Sequence, residues 1–157
     1  MRTLTAGAVK ALGLRTGMSH LEWFLRPNGD VAISEVGARP PGAQLTSLVS
    51  YAHDFDFYRG WAQLVTHGTF DPPERRYAVA AVYLRGQGGA RVAAVHGLDQ
   101  AQSEVGPLVV EAKLPDPGQP ASGTYEGDGY VIVRHPDTDV VKRAVARILE
   151  VVKVEMG

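Results

Sequence analysis

"HLEWFLRPNGDVAISEVGARPPG", residues 20–42, decides how the whole chain is read. Two apolar-rich runs flank Asn28-Gly29, and each run carries one acid, Glu22 and Glu35. Asn-Gly between apolar runs is the strongest short-range hairpin signal, because both residues tolerate positive φ. A tight turn centred on this pair opposes Phe24 to Ile33, Trp23 to Ser34 and Glu22 to Glu35. Alternation then gathers Met18, His20, Glu22 and Phe24 on one face with Val31, Ile33 and Glu35, leaving Trp23 on the other. That register assumes an even-length loop; a three-residue bulged loop shifts it by one.

Opposed residues in such a pair have Cβ atoms about 4.5–5.5 Å apart. Two carboxylates about 5 Å apart, at an effective dielectric near 20, repel by about 3 kcal/mol. Three resolutions are open: one carboxyl takes up a proton, the two splay into water, or a divalent cation sits between them. The residues alone therefore allow a solvated sheet face, a glycosidase-like acid pair or a Mg²⁺ site. Arg39, four residues after Glu35 on the loop leaving the second run, supplies the cation that a phosphate-bearing ligand needs.

Around this hairpin the chain reads as α+β. Residues 5–13 form a short helix stopped by Gly13. Strands cover 18–25 and 31–36. Leu48, Tyr51, Phe55, Tyr58, Trp61 and Val65 recur at spacings of three and four, which predicts one amphipathic helix capped by Thr46 or Ser47. His53, Asp54 and Asp56 fall on its polar side or in an N-terminal turn. Beyond "DPPERR" (71–76) the character turns to β: "YAVAAVYLR", a "GQGG" hairpin turn at 86–89, "ARVAAVHGL", "PLVVEAKLP" and "GYVIVRH". His135 ends the last of these strands. Asp137 or Thr138 caps a final helix with Val141, Val145, Ile148 and Val152 along one stripe. The pattern suggests mainly antiparallel sheet and a change of unit near residue 72.

Composition narrows the function. The 16 basic and 17 acidic side chains nearly cancel, so no field draws in nucleic acid or anionic lipid. With no cysteine, thiolate metal sites, disulfides and cysteine nucleophiles are excluded. No run reaches the roughly 18 apolar residues of a membrane span, and the N-terminal residues lack a signal-peptide core. A cytoplasmic protein is expected.

A strand ending in H-x-E, a hairpin, then E-x-x-x-R-P and a helix resembles the C-terminal half of the ATP-grasp catalytic core. The likeness covers about residues 5–66, is looser from 77 onward, and is nearest to carboxylate–amine ligases that make dipeptides (L-amino acid ligases), with biotin-carboxylase-like members next. It implies residues 1–72 as the C-terminal portion of the core and 73–157 as a small α+β C-terminal domain. It implies ATP with Mg²⁺ (or Mn²⁺) as cofactors, Glu22 and Glu35 as metal ligands, and Arg39 as the catalytic contact to phosphate. Phe24 would pack against adenine, and His20 would touch phosphate or substrate. The partners implied are ATP and a small carboxylate or amino-acid substrate.

The chain departs from the pattern at Gly37, where many members place an asparagine ligand; water would complete the metal shell there. The half of the core that covers the phosphates is also missing. Two hypotheses follow. The chain is a C-terminal fragment of an ATP-dependent carboxylate–amine ligase working through an acyl phosphate, and inactive alone. Or it is a stand-alone, non-catalytic binding or regulatory module with a degenerate ATP-grasp fold. A half-core exposes apolar surface, which allows homo-oligomers.

Overall fold

The computed structural model describes residues 2–157. In chain order the elements are α1 (Arg2–Ala11), β1 (His20–Leu25), β2 (Val31–Gly37), α2 (Leu45–His53), α3 (Phe57–His67), β3 (Ala78–Leu84) and β4 (Val92–His96). There follow α4 (Leu98–Val105), a 3₁₀ turn (Gly106–Leu108), β5 (Val109–Lys113), β6 (Gly129–His135), α5 (Thr138–Val151) and β7 (Lys153–Met156). Two compact units result: residues 1–46 with 56–73, and residues 47–55 with 74–157. The fold is α+β with antiparallel sheets throughout.

In the first unit, β1 and β2 form a two-stranded antiparallel sheet. The expected single helix over the 46–67 region is instead two, α2 and α3. The break falls at Asp54, whose φ of 54° is left-handed and cannot continue a helix. Asp56 then starts α3, its carboxylate accepting from the Arg59 N–H at 3.0 Å. Neither expected cap of α2 serves as one: α2 begins at Leu45, and buried Thr46 donates to the Pro41 carbonyl at 3.1 Å. Because the helix is broken, the apolar stripe is not continuous. Tyr58 and Val65 are exposed.

The second unit holds the core. β6 lies between β3 and β5 in a three-stranded sheet, and its near-continuous run of buried residues suits a central strand. Val131 and Val133 face α5, where Val141, Ala144 and Ile148 close the cluster with Val82, Leu84 and Val105. Tyr130, Ile132 and Arg134 point to the other face by alternation. There Tyr51 and Tyr130 both donate to Glu111, at 2.9 and 2.5 Å. The carboxylate pushes the Tyr130 phenol up to about 12, and burial raises that of Tyr51. Both phenols therefore stay protonated donors. Arg134 spans Asp54 and the Tyr51 carbonyl and lies 4.4 Å from the centre of the Tyr77 ring.

Two expectations fail in this unit. "GQGG" does not join a β3–β4 hairpin: β3 pairs with β6, and β4 pairs with β7, a strand the sequence reading did not include. The glycines serve close approach instead. A Cβ on Gly86 would collide with the Met156 side chain, and one on Gly89 with Met156 and the Gly157 backbone. The second miss is α4, whose Leu98, Ala101 and Val105 do carry helical spacing behind Gly97. Asp137 is the cap of α5, accepting from the Asp139 N–H at 2.8 Å.

Candidate functional site: an opposed acid pair on the β1–β2 hairpin

The turn is longer than the tight loop expected. The Arg26 N–H donates to the Asp30 carbonyl at 2.8 Å and the Gly29 N–H to the Arg26 carbonyl at 2.9 Å, so Pro27-Asn28-Gly29 is a three-residue loop. Gly29 takes the left-handed conformation such loops end on. The Asn28 amide ties the loop down through the Asp30 carboxylate at 2.7 Å.

An odd loop shifts the register by one: Leu25 opposes Val31, Phe24 opposes Ala32 and Trp23 opposes Ile33. Continued unchanged, it would set Glu22 against Ser34. It does not continue. Between Trp23 and Glu22 the ladder shifts back, Ser34 is the extra residue, and Glu22 faces Glu35. Leu21 then opposes Val36, and His20 opposes Gly37. The acid pairing thus comes from two compensating irregularities rather than from a regular ladder. One consequence differs from expectation: Val31 and Ile33 sit with Leu25 and Trp23, not on the face of Glu22 and Phe24, where Ala32 takes their place.

His20, Glu35 and Arg39 converge. The His20 ring is largely covered, 15% exposed, with Nε2 3.3 Å from Glu35 Oε1 and Nδ1 3.1 Å from the Arg39 carbonyl oxygen. The Arg39 guanidinium lies 4.0 Å from the same Oε1 and donates to the Pro40 carbonyl at 3.0 Å, yet it is 62% exposed. Both contacts fall on Oε1, which leaves Oε2 outside them. Phe24 stands 67% exposed on the Glu22 face. The loop from Arg39 into α2 ends on two consecutive left-handed residues, Ala43 (φ 54°) and Gln44 (φ 62°), a strained path for side chains with a Cβ.

Among the described residues no group of three or more His, Asp and Glu gathers as a metal cage. The hairpin offers two carboxylates. That donor set suits Mg²⁺, which is commonly held by one or two carboxylates while water and phosphate fill the remaining positions. His53 and Asp56 are accounted for locally, the first facing the Val49 carbonyl at 2.8 Å and the second capping α3. Sequence reasoning missed Ser34 and the fit of the His20 ring over Gly37. A serine breaking the alternation just before Glu35 was the only available sign.

Comparison with known proteins bears on the fold. No family model matches the chain, and no curated protein matches its sequence. Solved structures do match. The chain carries the fold of part of the ATP-grasp ligases. It is similar to the L-amino acid ligase from Bacillus licheniformis, at 17% identity and a TM-score of 0.80, covering 99% of this chain and 42% of that one. It is also similar to N5-carboxyaminoimidazole ribonucleotide synthetase from Thermotoga maritima (20% identity, TM-score 0.70, 99% and 41% covered). Phosphoribosylglycinamide synthetase from Anaerococcus prevotii is a third (18%, 0.70, 99% and 41%). The chain therefore spans about two-fifths of the length of these structures. No described helix is long and apolar enough to cross a membrane.

Proposed function

We propose that the chain is the metal- and phosphate-handling part of an ATP-dependent carboxylate–amine ligase of the cytoplasm. In this reading residues 1–72 belong to the catalytic core and 73–157 to a small C-terminal domain. The observation that carries it is the bulge at Ser34, which restores Glu35 to a position across from Glu22 after the loop has moved it away. A solvated sheet face gains nothing from bringing like charges together, whereas bulges beside active sites re-aim side chains. Glu22 and Glu35 would hold Mg²⁺ or Mn²⁺ through their carboxylates. Bound Mg²⁺ neutralises charge on the ATP phosphate oxygens. Arg39, exposed and adjacent, stabilises the transferred phosphoryl group electrostatically. Phe24 packs its exposed ring against adenine. The chemistry passes the γ-phosphate of ATP to the carboxylate of a small acid or amino acid, releasing ADP. An amine then attacks the acyl carbon of the acyl phosphate, forming the C–N bond as inorganic phosphate and the amine proton leave. Alone, the chain is expected to bind nucleotide weakly or not at all and to turn nothing over.

The test is the electron paramagnetic resonance signal of free Mn²⁺ titrated with the full chain. Wild type is expected to deplete the signal at high protein concentration, and Glu35→Gln to lose that depletion. Equal curves for the two proteins overturn the metal role. One observation favours the competing reading, a non-catalytic module: the Arg39 guanidinium already offsets charge on Glu35, so the acid pair is tolerable without a cation. Equal curves would support that module.

A further inference from the structure

We infer that His20 is a positioning residue, which holds the Glu35 carboxylate and the Arg39 segment as one unit, and that position 37 is glycine to admit its ring. The inference rests on the metal-site reading above and adds a residue that neither binds the cation nor reacts. His20 and Gly37 are directly opposed across the hairpin. A Cβ at position 37 would stand 2.3 Å from Cε1, 2.8 Å from Nε2 and 3.0 Å from Nδ1 of the imidazole. The Cε1 edge of the ring therefore occupies the space that a Cβ at position 37 would take. From there it reaches two residues back to Glu35 and two residues forward to the Arg39 carbonyl. Both partners are acceptors, so a ring with one proton makes one bond and a ring with two makes both.

The geometry has a purpose that packing alone does not explain. Glu35 itself is 51% exposed, and an exposed carboxylate on a two-stranded sheet is otherwise free to rotate. Outer hydrogen bonds that fix a ligand carboxylate are what make a coordination site ready before the ion arrives. His20 engages Oε1 and leaves Oε2 outside that contact. The same ring also lies 3.1 Å from the Arg39 carbonyl, so it packs against the start of the loop that carries the guanidinium.

Two measurements test this, and neither needs bound metal. Trp23 and Trp61, the chain's two tryptophans, both lie in the first unit, so thermal unfolding followed by their fluorescence reports on that unit. Gly37→Ala is expected to lower its Tm by at least about 3 °C. In a His20→Ala background the same change should cost less than half as much, because the ring it displaces is gone. Equal losses in both backgrounds overturn the proposal. The second measurement is the imidazole ¹⁵N spectrum. Glu35→Gln is expected to shift His20 Nε2, and a resonance that stays put overturns the positioning role even if the ring packs as described. Should Mn²⁺ binding fail while both of these succeed, the metal reading falls and the His20 link stands.

Discussion

Ile132, Ile148, Val92 and Val133 of the second unit are almost sealed from water, whereas Trp23, Phe24 and Leu25 on the hairpin of the first are 45%, 67% and 66% exposed. All of the buried hydrophobic core lies beyond residue 78, and among the described residues of the first unit only Thr46 and Gly60 are buried. One unit is held by its apolar interior. The other is held by turn, cap and ring hydrogen bonds around side chains that stay in solvent. An opposed carboxylate pair costs least where water still reaches it, and a two-stranded sheet is marginal without further strands or a covering helix. The contrast is one of packing: the buried hydrophobic core lies in the second unit, and the opposed carboxylates of Glu22 and Glu35 sit in the first, where packing is thin.

The largest way to break this contrast is at Ile148, 1% exposed under the central sheet. Ile148→Ala is expected to cost about 2–5 kcal/mol, read by far-ultraviolet circular dichroism during denaturation. A cost below about 1 kcal/mol would mean the second unit is not the packed one. Acid sharpens the comparison next. Hydrogen bonds from Arg147, then Gln100, hold the Glu104 carboxyl down to about 2 from an ordinary 4.5. The folded value is the lower one, so this stabilisation is complete above pH 4.5 and fades as pH falls toward 2. Glu104→Gln should flatten that part of the acid unfolding curve of the second unit. A curve superimposable on wild type would show that the Arg147 link does not matter. The smallest effect belongs to Phe24. Phe24→Ser should change stability by less than about 0.5 kcal/mol, since two-thirds of the ring is already wet. A large loss by tryptophan fluorescence would mean the ring has a structural partner.

Much of this was legible in the sequence, and the losses have physical causes. The hairpin, the β6 strand and the α5 cap were readable because Asn28-Gly29, the run "GYVIVRH" and Asp137 are local signals. The break between α2 and α3 was hidden because the stripe from Leu48 to Val65 keeps helical spacing straight through Asp54. The β4–β7 pairing was hidden because it joins residues about sixty apart in the chain. At the site, Glu22 opposite Glu35 was expected for a reason that does not hold: a regular register from a two-residue turn. The pairing arises through a longer loop and a bulge, neither of which alternation can reveal. His20 over Gly37 was beyond reach, since a missing Cβ says nothing of which ring fills the space.

The extra Ser34 also gives the hairpin slack. Deleting it would close the bulge and carry the ladder straight on from Trp23–Ile33 to Glu22–Glu35, so the acids would stay opposed. A second deletion in β2 would have no bulge left to absorb it and would draw Glu35 past its partner, so this strand can shorten by one residue and no more.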